Sequence, residues 1–157
     1  IPHRLAYRTI VEIGTGRSEI GMTMDGILGR VMLVDDDNID QMIYTRILKR
    51  SGMTTDIVSF QYAKDALTYL NDPASPDVNL ILLDINMPAM NGFEFLEAAK
   101  EELAGQRPIP VVMMLTTSMS PEDQERAKQF PEIKAYTNKP LQESHLEVAL
   151  KIVQETN

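Results

Sequence analysis

The sequence predicts an α/β fold, a doubly wound parallel sheet of five strands on a (βα)5 plan. Three observations predict it. From residue 30 onward, short apolar runs alternate with segments of helical period. The first, third and fourth runs are almost entirely apolar, as in strands covered on both faces. A helix-length segment follows every run, which supplies the crossovers that parallel strands need.

The elements follow in order. Arg30 to Val34 is an apolar run that ends in Asp35-Asp36-Asp37. Ile39, Met42, Ile43 and Ile47 then recur at helical spacing, and Ser51-Gly52 stops that helix. Thr54 to Phe60 is strand-like and rich in β-branched residues. Ala63, Ala66, Leu67 and Leu70 mark a second helix, closed by Asn71-Asp72-Pro73. Val78 to Leu83 is the third strand and runs into Asp84. Asn91 is placed to cap a third helix, with Glu94 three residues on and Phe93, Leu96 and Leu103 on its inner face. Val111 to Leu115 is the fourth strand. Ser120-Pro121 opens a fourth helix, with proline at its favoured first position. Ala135 to Thr137 is a brief fifth strand, and Leu146, Ala149, Leu150 and Val153 give a final amphipathic helix. Residues 1–29 show no such period and carry five glycines. They are expected to be a poorly ordered tail or a non-native leader, with Met22 or Met24 as a natural start, and residues 30–157 to be the folded domain.

Composition narrows the chemistry. The 157 residues (17.7 kDa) carry a net charge of −8, with a pI near 4.7, so nucleic acid and anionic membrane are disfavoured partners. Cysteine is absent, which excludes disulfides, thiolate metal sites and a cysteine nucleophile. Only His3 and His145 are histidines, and His145 reads as an exposed helix residue. Any metal therefore has oxygen ligands: magnesium, calcium or manganese. No apolar run approaches the roughly 20 residues of a membrane span, and no signal peptide is visible.

Ligands of such sheets sit at the carboxyl ends of the strands. There the sequence places Asp35 and Asp36, Asp84, Thr116, and Lys139-Pro140. Crowded carboxylates repel one another and invite a divalent cation. A hydroxyl and an ammonium opposite them suit phosphoryl oxygens. A carboxylate left over can attack phosphorus. The constellation suggests phosphoryl transfer to an aspartate.

The segments Val31 to Asp37, Leu80 to Pro88, Asn91-Gly92, Val111 to Thr116 and Lys139-Pro140 resemble the receiver domains of bacterial two-component response regulators, over about residues 30–155. Asp35, Asp84, Thr116 and Lys139 are 49, 32 and 23 residues apart, as that pattern requires. The resemblance implies a flavodoxin-like strand order, 2-1-3-4-5. It implies that Asp84 accepts the phosphoryl group. Asp35, Asp36, Asp84 and the backbone carbonyl of Asn86 would hold Mg2+, with Mn2+ as a substitute. Thr116 and Lys139 would bind the phosphoryl oxygens, and Thr116 and Tyr136 would form a switch. Asn86, Thr117 and Ser118 stand where the family tunes access and dephosphorylation. Thr117 is bulkier than the small residue common there, and Asn91 replaces a common aspartate. The bond before Pro140 is a cis candidate.

The function so implied is a phosphorylation-dependent switch in a cytoplasmic phosphorelay, with no catalysis beyond self-phosphorylation and self-dephosphorylation. A sensor histidine kinase or histidine phosphotransfer protein would donate the phosphoryl group. A downstream protein would read the face of the fourth helix, fifth strand and fifth helix, roughly Pro121 to Val153, and a homodimer through that face is compatible with it. Because no output module follows the last helix, the chain reads as a stand-alone receiver. Two alternatives carry different chemistry. A haloacid-dehalogenase-like phosphatase would use Asp35-x-Asp37 with Thr116 and Lys139, but its second acidic motif should follow the lysine, and Asp84 precedes it. A degenerate receiver would bind partners without phosphate. Asp37 has a bland role open to it, capping the following helix.

Overall fold

The structure, a computed structural model, describes residues 10–13, 26–117 and 119–156. Six strands form one parallel sheet: β1 (Val11–Ile13), β2 (Gly29–Val34), β3 (Thr54–Phe60), β4 (Leu80–Asp84), β5 (Val111–Thr116) and β6 (Ile133–Asn138). Five helices accompany them: α1 (Asn38–Ser51), α2 (Ala63–Asn71), α3 (Gly92–Glu102), α4 (Pro121–Ala127) and α5 (Glu143–Thr156). The strand order is β1-β6-β5-β4-β2-β3. Without β1 this is the order the resemblance implies, with the chain reversing direction between β2 and β4.

Alternate side chains of the strands feed two cores. Met32, Val34, Ile81, Leu83, Val112 and Met114 face the buried sides of α2 and α3, with Ala127 and Phe130. Val31, Leu33, Leu80, Leu82, Val111, Met113 and Leu115 face α1 and α5. Each large apolar side chain buried this way contributes about 2 kcal/mol. The expected inner faces of α2, α3 and α5 are all buried.

Helix α1 runs as expected but turns another face inward. Ile39 and Met42 are 68% and 64% exposed and Ile43 is also exposed, whereas Gln41, Tyr44 and Leu48 are buried. Both stripes have helical spacing. The start of the helix decides between them: the Asp37 carboxylate caps it, accepting the N–H of Ile39 (2.8 Å) and Asp40 (3.1 Å). The Gln41 amide then donates to the Asp35 and Phe60 carbonyls, each at 3.0 Å, and fixes the phase against the sheet.

The leader also departs from expectation. Residues 11–13 pair in parallel with β6, Val11 opposite Ala135 and Ile13 opposite Thr137, so this part of the segment expected to be poorly ordered forms an edge strand. The edge of β6 offers unpaired backbone groups, and β1 satisfies them. Leu28 is buried and its N–H donates to the Met53 carbonyl (2.6 Å). The rest of that expectation, residues 1–9 and 14–25, lies outside the described residues.

His145 is buried, not exposed. Its Nδ1 accepts the Gln142 N–H (3.0 Å), which leaves the proton on Nε2 to donate to the Thr137 hydroxyl (3.1 Å). That hydroxyl donates to the Ile13 carbonyl (3.1 Å). A helix side chain that looked polar thus completes a chain of bonds through β6 to β1.

Two positions between β4 and the first turn of α3 carry backbone consequences. Ala89 has φ +66°, where a Cβ is unfavourable by about 1 kcal/mol. Ala89→Gly should raise the urea midpoint by an amount worth about 1 kcal/mol. A Cβ on Gly92 would lie 2.6 Å from the Asp84 carbonyl oxygen. Gly92→Ala should therefore lower stability by about 1–3 kcal/mol in the same unfolding experiment.

Candidate functional site

Sheet register assembles the site. Val34 lies opposite Leu83, so Asp35 and Asp84 leave β2 and β4 at the same height. Asp84 lies opposite Leu115, and Thr116 opposite Asn138, so Thr116 and Lys139 end the next two strands one step further on. The Lys139 N–H donates to the Thr116 carbonyl (2.8 Å) and ties those two ends together. The Lys139–Pro140 peptide bond is cis.

One carboxylate oxygen from each of Asp35, Asp36 and Asp84 lies within 4.8 Å of the other two. Asp35 and Asp84 are buried, and Asp36 is exposed at the mouth. Asp35 accepts the N–H of Asp37 (2.9 Å) and the Tyr44 hydroxyl (3.2 Å). Asp84 accepts the N–H of Asn86 (3.2 Å). The Lys139 ammonium stands among these acids, 2.9 Å from Asp35 and 3.4 Å from Asp84, and 2.8 Å from Asp40 on α1. Three carboxylates share one ammonium, with the Asp36 carboxylate beside them. That excess of negative charge on hard oxygen donors fits a divalent cation, and Asp35, Asp36 and Asp84 are the residues that would hold it.

The electrostatics follow from burial. Loss of water, then the neighbouring Asp35 charge, push Asp84 up to about 6, and Lys139 offsets this only in part. Burial raises Asp35 as well, against the pull of the Asp37 N–H and Lys139. Burial works against charge on Lys139, but its bonds to Asp40 and Asp35 outweigh it, and the ammonium stays protonated well above its ordinary range.

The remaining candidates are placed as follows. Thr116 is buried at the end of β5. Thr117 and Asn86 are exposed beside the mouth, and Ser118 lies outside the described residues. Tyr136 is half-buried on β6, and its hydroxyl donates to Glu12 of β1 (3.2 Å). Asp37 is engaged as the α1 cap, which removes the second acid that the phosphatase alternative needs.

Comparison with known proteins agrees with this geometry. Residues 31–151 match the response regulator receiver domain. The chain belongs to that family. It is a receiver of two-component phosphorelay signalling. It is 34% identical over 128 residues to the probable methanogenesis regulatory protein FilR2 of Methanothrix harundinacea, covering 80% of this chain and 81% of that one. It is 32% identical over 99 residues to the hybrid signal transduction histidine kinase L of Dictyostelium discoideum, covering 62% of this chain and 6% of that protein. The receiver thus matches a small part of that relative and most of the other. A two component response regulator from Cytophaga hutchinsonii superposes with a TM-score of 0.75 at 28% identity, over 82% of this chain and 98% of that one. Since relatives include a Dictyostelium protein, the family extends beyond the bacterial setting the resemblance implied.

Sequence reasoning missed three residues that shape this receiver's site: Asp40, Gln41 and Tyr44. Asp40 had a signal, lying three residues after the Asp37 cap and so in the first turn of α1, at the strand-end side of the sheet. Tyr44 lies a further turn on, but nothing in its spacing showed that the hydroxyl reaches Asp35. Gly92 was legible as part of the Asn91-Gly92 segment that carries the resemblance, but without its physical reason. Its closeness to the Asp84 carbonyl is tertiary.

The raised Asp84 carboxyl gives a pH test. The native state holds that proton more tightly than the unfolded chain, whose carboxyl titrates near 3.8. In metal-free buffer the contribution of Asp84 to stability therefore falls as pH rises from about 4 through about 6. Asp84→Asn should be more stable than wild type at neutral pH, by urea unfolding, with the advantage shrinking on acidification and gone below about pH 4.

Proposed function

We propose that Asp84 is the phosphoacceptor of this receiver. Its carboxylate oxygen attacks the phosphorus of a phosphohistidine on a sensor kinase or phosphotransfer protein. The P–N bond breaks, the imidazole leaves with its electron pair and takes a proton from solvent, and an acyl phosphate remains on Asp84. The observation that carries this is the Lys139 ammonium 3.4 Å from the Asp84 carboxylate at the strand ends, inside a ring of further acids.

Each neighbour has a task in this reading. Asp35, Asp36 and Asp84, with the Asn86 carbonyl, would hold Mg2+ or Mn2+, which would supply neutralisation of the negative charge that phosphoryl transfer gathers there. Lys139 donates to a phosphoryl oxygen. Thr116 follows with its hydroxyl, and Tyr136 changes position with it as the switch. Asn86, Thr117 and Ser118 border the path of an attacking water and set how long the modification lasts. The signal passes to a protein partner through the α4, β6 and α5 face or through a homodimer there, in a cytoplasmic relay. Residues 30–157 form the signalling unit, and residues 1–29 are an extension to it.

Intact mass after incubation with magnesium and acetyl phosphate tests the chemistry. One added phosphoryl group is expected on wild type, labile to hydroxylamine, and none on Asp84→Asn. Modification of both proteins would move the acceptor elsewhere. Modification of neither, with magnesium binding intact, would favour a receiver that signals without phosphate.

A further inference from the structure

The strand between α4 and α5 does not present a bare edge. β1 lies along β6 in parallel, with Glu12 opposite Tyr136 and Ile13 opposite Thr137. Two side-chain bonds add to that ladder. The Tyr136 hydroxyl donates to Glu12 (3.2 Å), and the buried Thr137 hydroxyl donates to the Ile13 carbonyl (3.1 Å). Ile13 is buried in the core shared with α1 and α5, and Ile10 packs against the core on the other side of the sheet. Residues 10–13 thus engage both layers, the β6 edge and the tyrosine read above as part of the switch.

An edge strand of three paired residues opens far more easily than the central strands, so each bond that holds it counts. A Tyr136 side chain that follows Thr116 leaves the Glu12 carboxylate, and β1 loses one of those bonds. The same edge, once vacated, offers backbone groups to another chain. We propose that β1 is a displaceable cover on the β6 edge, latched through Glu12 to Tyr136, and that modification of Asp84 releases it and opens that edge of the output face. This rests on the reading of Asp84 as phosphoacceptor and of Tyr136 as part of the switch.

The test is amide hydrogen exchange of the full chain, read by mass spectrometry, with and without magnesium and acetyl phosphate. Residues 10–13 should be protected in the unmodified chain. Phosphorylation should speed their exchange by about tenfold and leave β2 unchanged, and Asp84→Asn under the same conditions should show no change. Without a donor, Glu12→Ala should speed exchange of residues 10–13 by about fivefold, and Glu12→Gln, which keeps an acceptor for the hydroxyl, by less than about twofold. In the Tyr136→Phe background Glu12→Ala should add nothing, which a merely structural role of Glu12 would not produce. Unmodified wild type whose residues 10–13 exchange as a free peptide would overturn the proposal, because nothing would cover the edge. An unaltered rate in Glu12→Ala would also overturn it, because no latch would join Glu12 to Tyr136. Wild type that takes no phosphoryl group by intact mass fails the reading of Asp84 and the release with it, whereas a phosphorylated chain with β1 still protected rejects the displaceable cover alone.

Discussion

The repulsion among the carboxylates at the strand ends is the constraint on which the rest of this structure depends. Asp35 and Asp84 are buried side by side, with Asp36 and Asp40 close at hand. Buried like charges do not persist without a counter-charge. Lys139 is that counter-charge, and it comes from the far end of the sequence. Much of the architecture can be understood as the means of bringing one lysine and three separate stretches of acid to a single point.

Register does most of this. A parallel sheet sets neighbouring strands at fixed heights, so the ends of β2, β4, β5 and β6 converge only because their core residues align. The apolar content of those strands is thus functional as well as stabilising. Displacing Val34 against Leu83 by one residue would send Asp35 to the other side of the sheet. Gly92 serves the same end differently, letting the start of α3 approach the backbone of Asp84. The site is rigid where it meets the sheet and exposed where Asp36, Asn86 and Thr117 border it.

The edge strand β1 alters the surface this receiver presents. It pairs with β6, contacts Tyr136 through Glu12, and reaches buried His145 through Thr137. The position expected to act as a switch is therefore bonded to a segment outside the (βα)5 unit. Nothing in the composition of residues 1–29 signalled this. Residues 11–13 are too short a strand to pair except against an existing sheet edge, and β6 offers one.

The sequence by itself determined the layers, the order of elements and the strand-end acids, because continuous apolar strands and helical stripes are local patterns and each is interrupted at a chemically distinct residue. Asp84 was legible for that reason: it closes the four-residue apolar run Leu80 to Leu83. The inward face of α1 was not, because two stripes have the same spacing and only the Asp37 cap and the Gln41 bonds choose between them. Nor was the burial of His145, whose partner lies on a strand eight residues earlier, or the pairing of β1 with β6 across more than a hundred residues. Asp40 belongs with these. Its charge could be read from the chain, but its place against Lys139 exists only once α1 is set on the sheet, since 99 residues separate the two and the distance between them is a property of the packing alone.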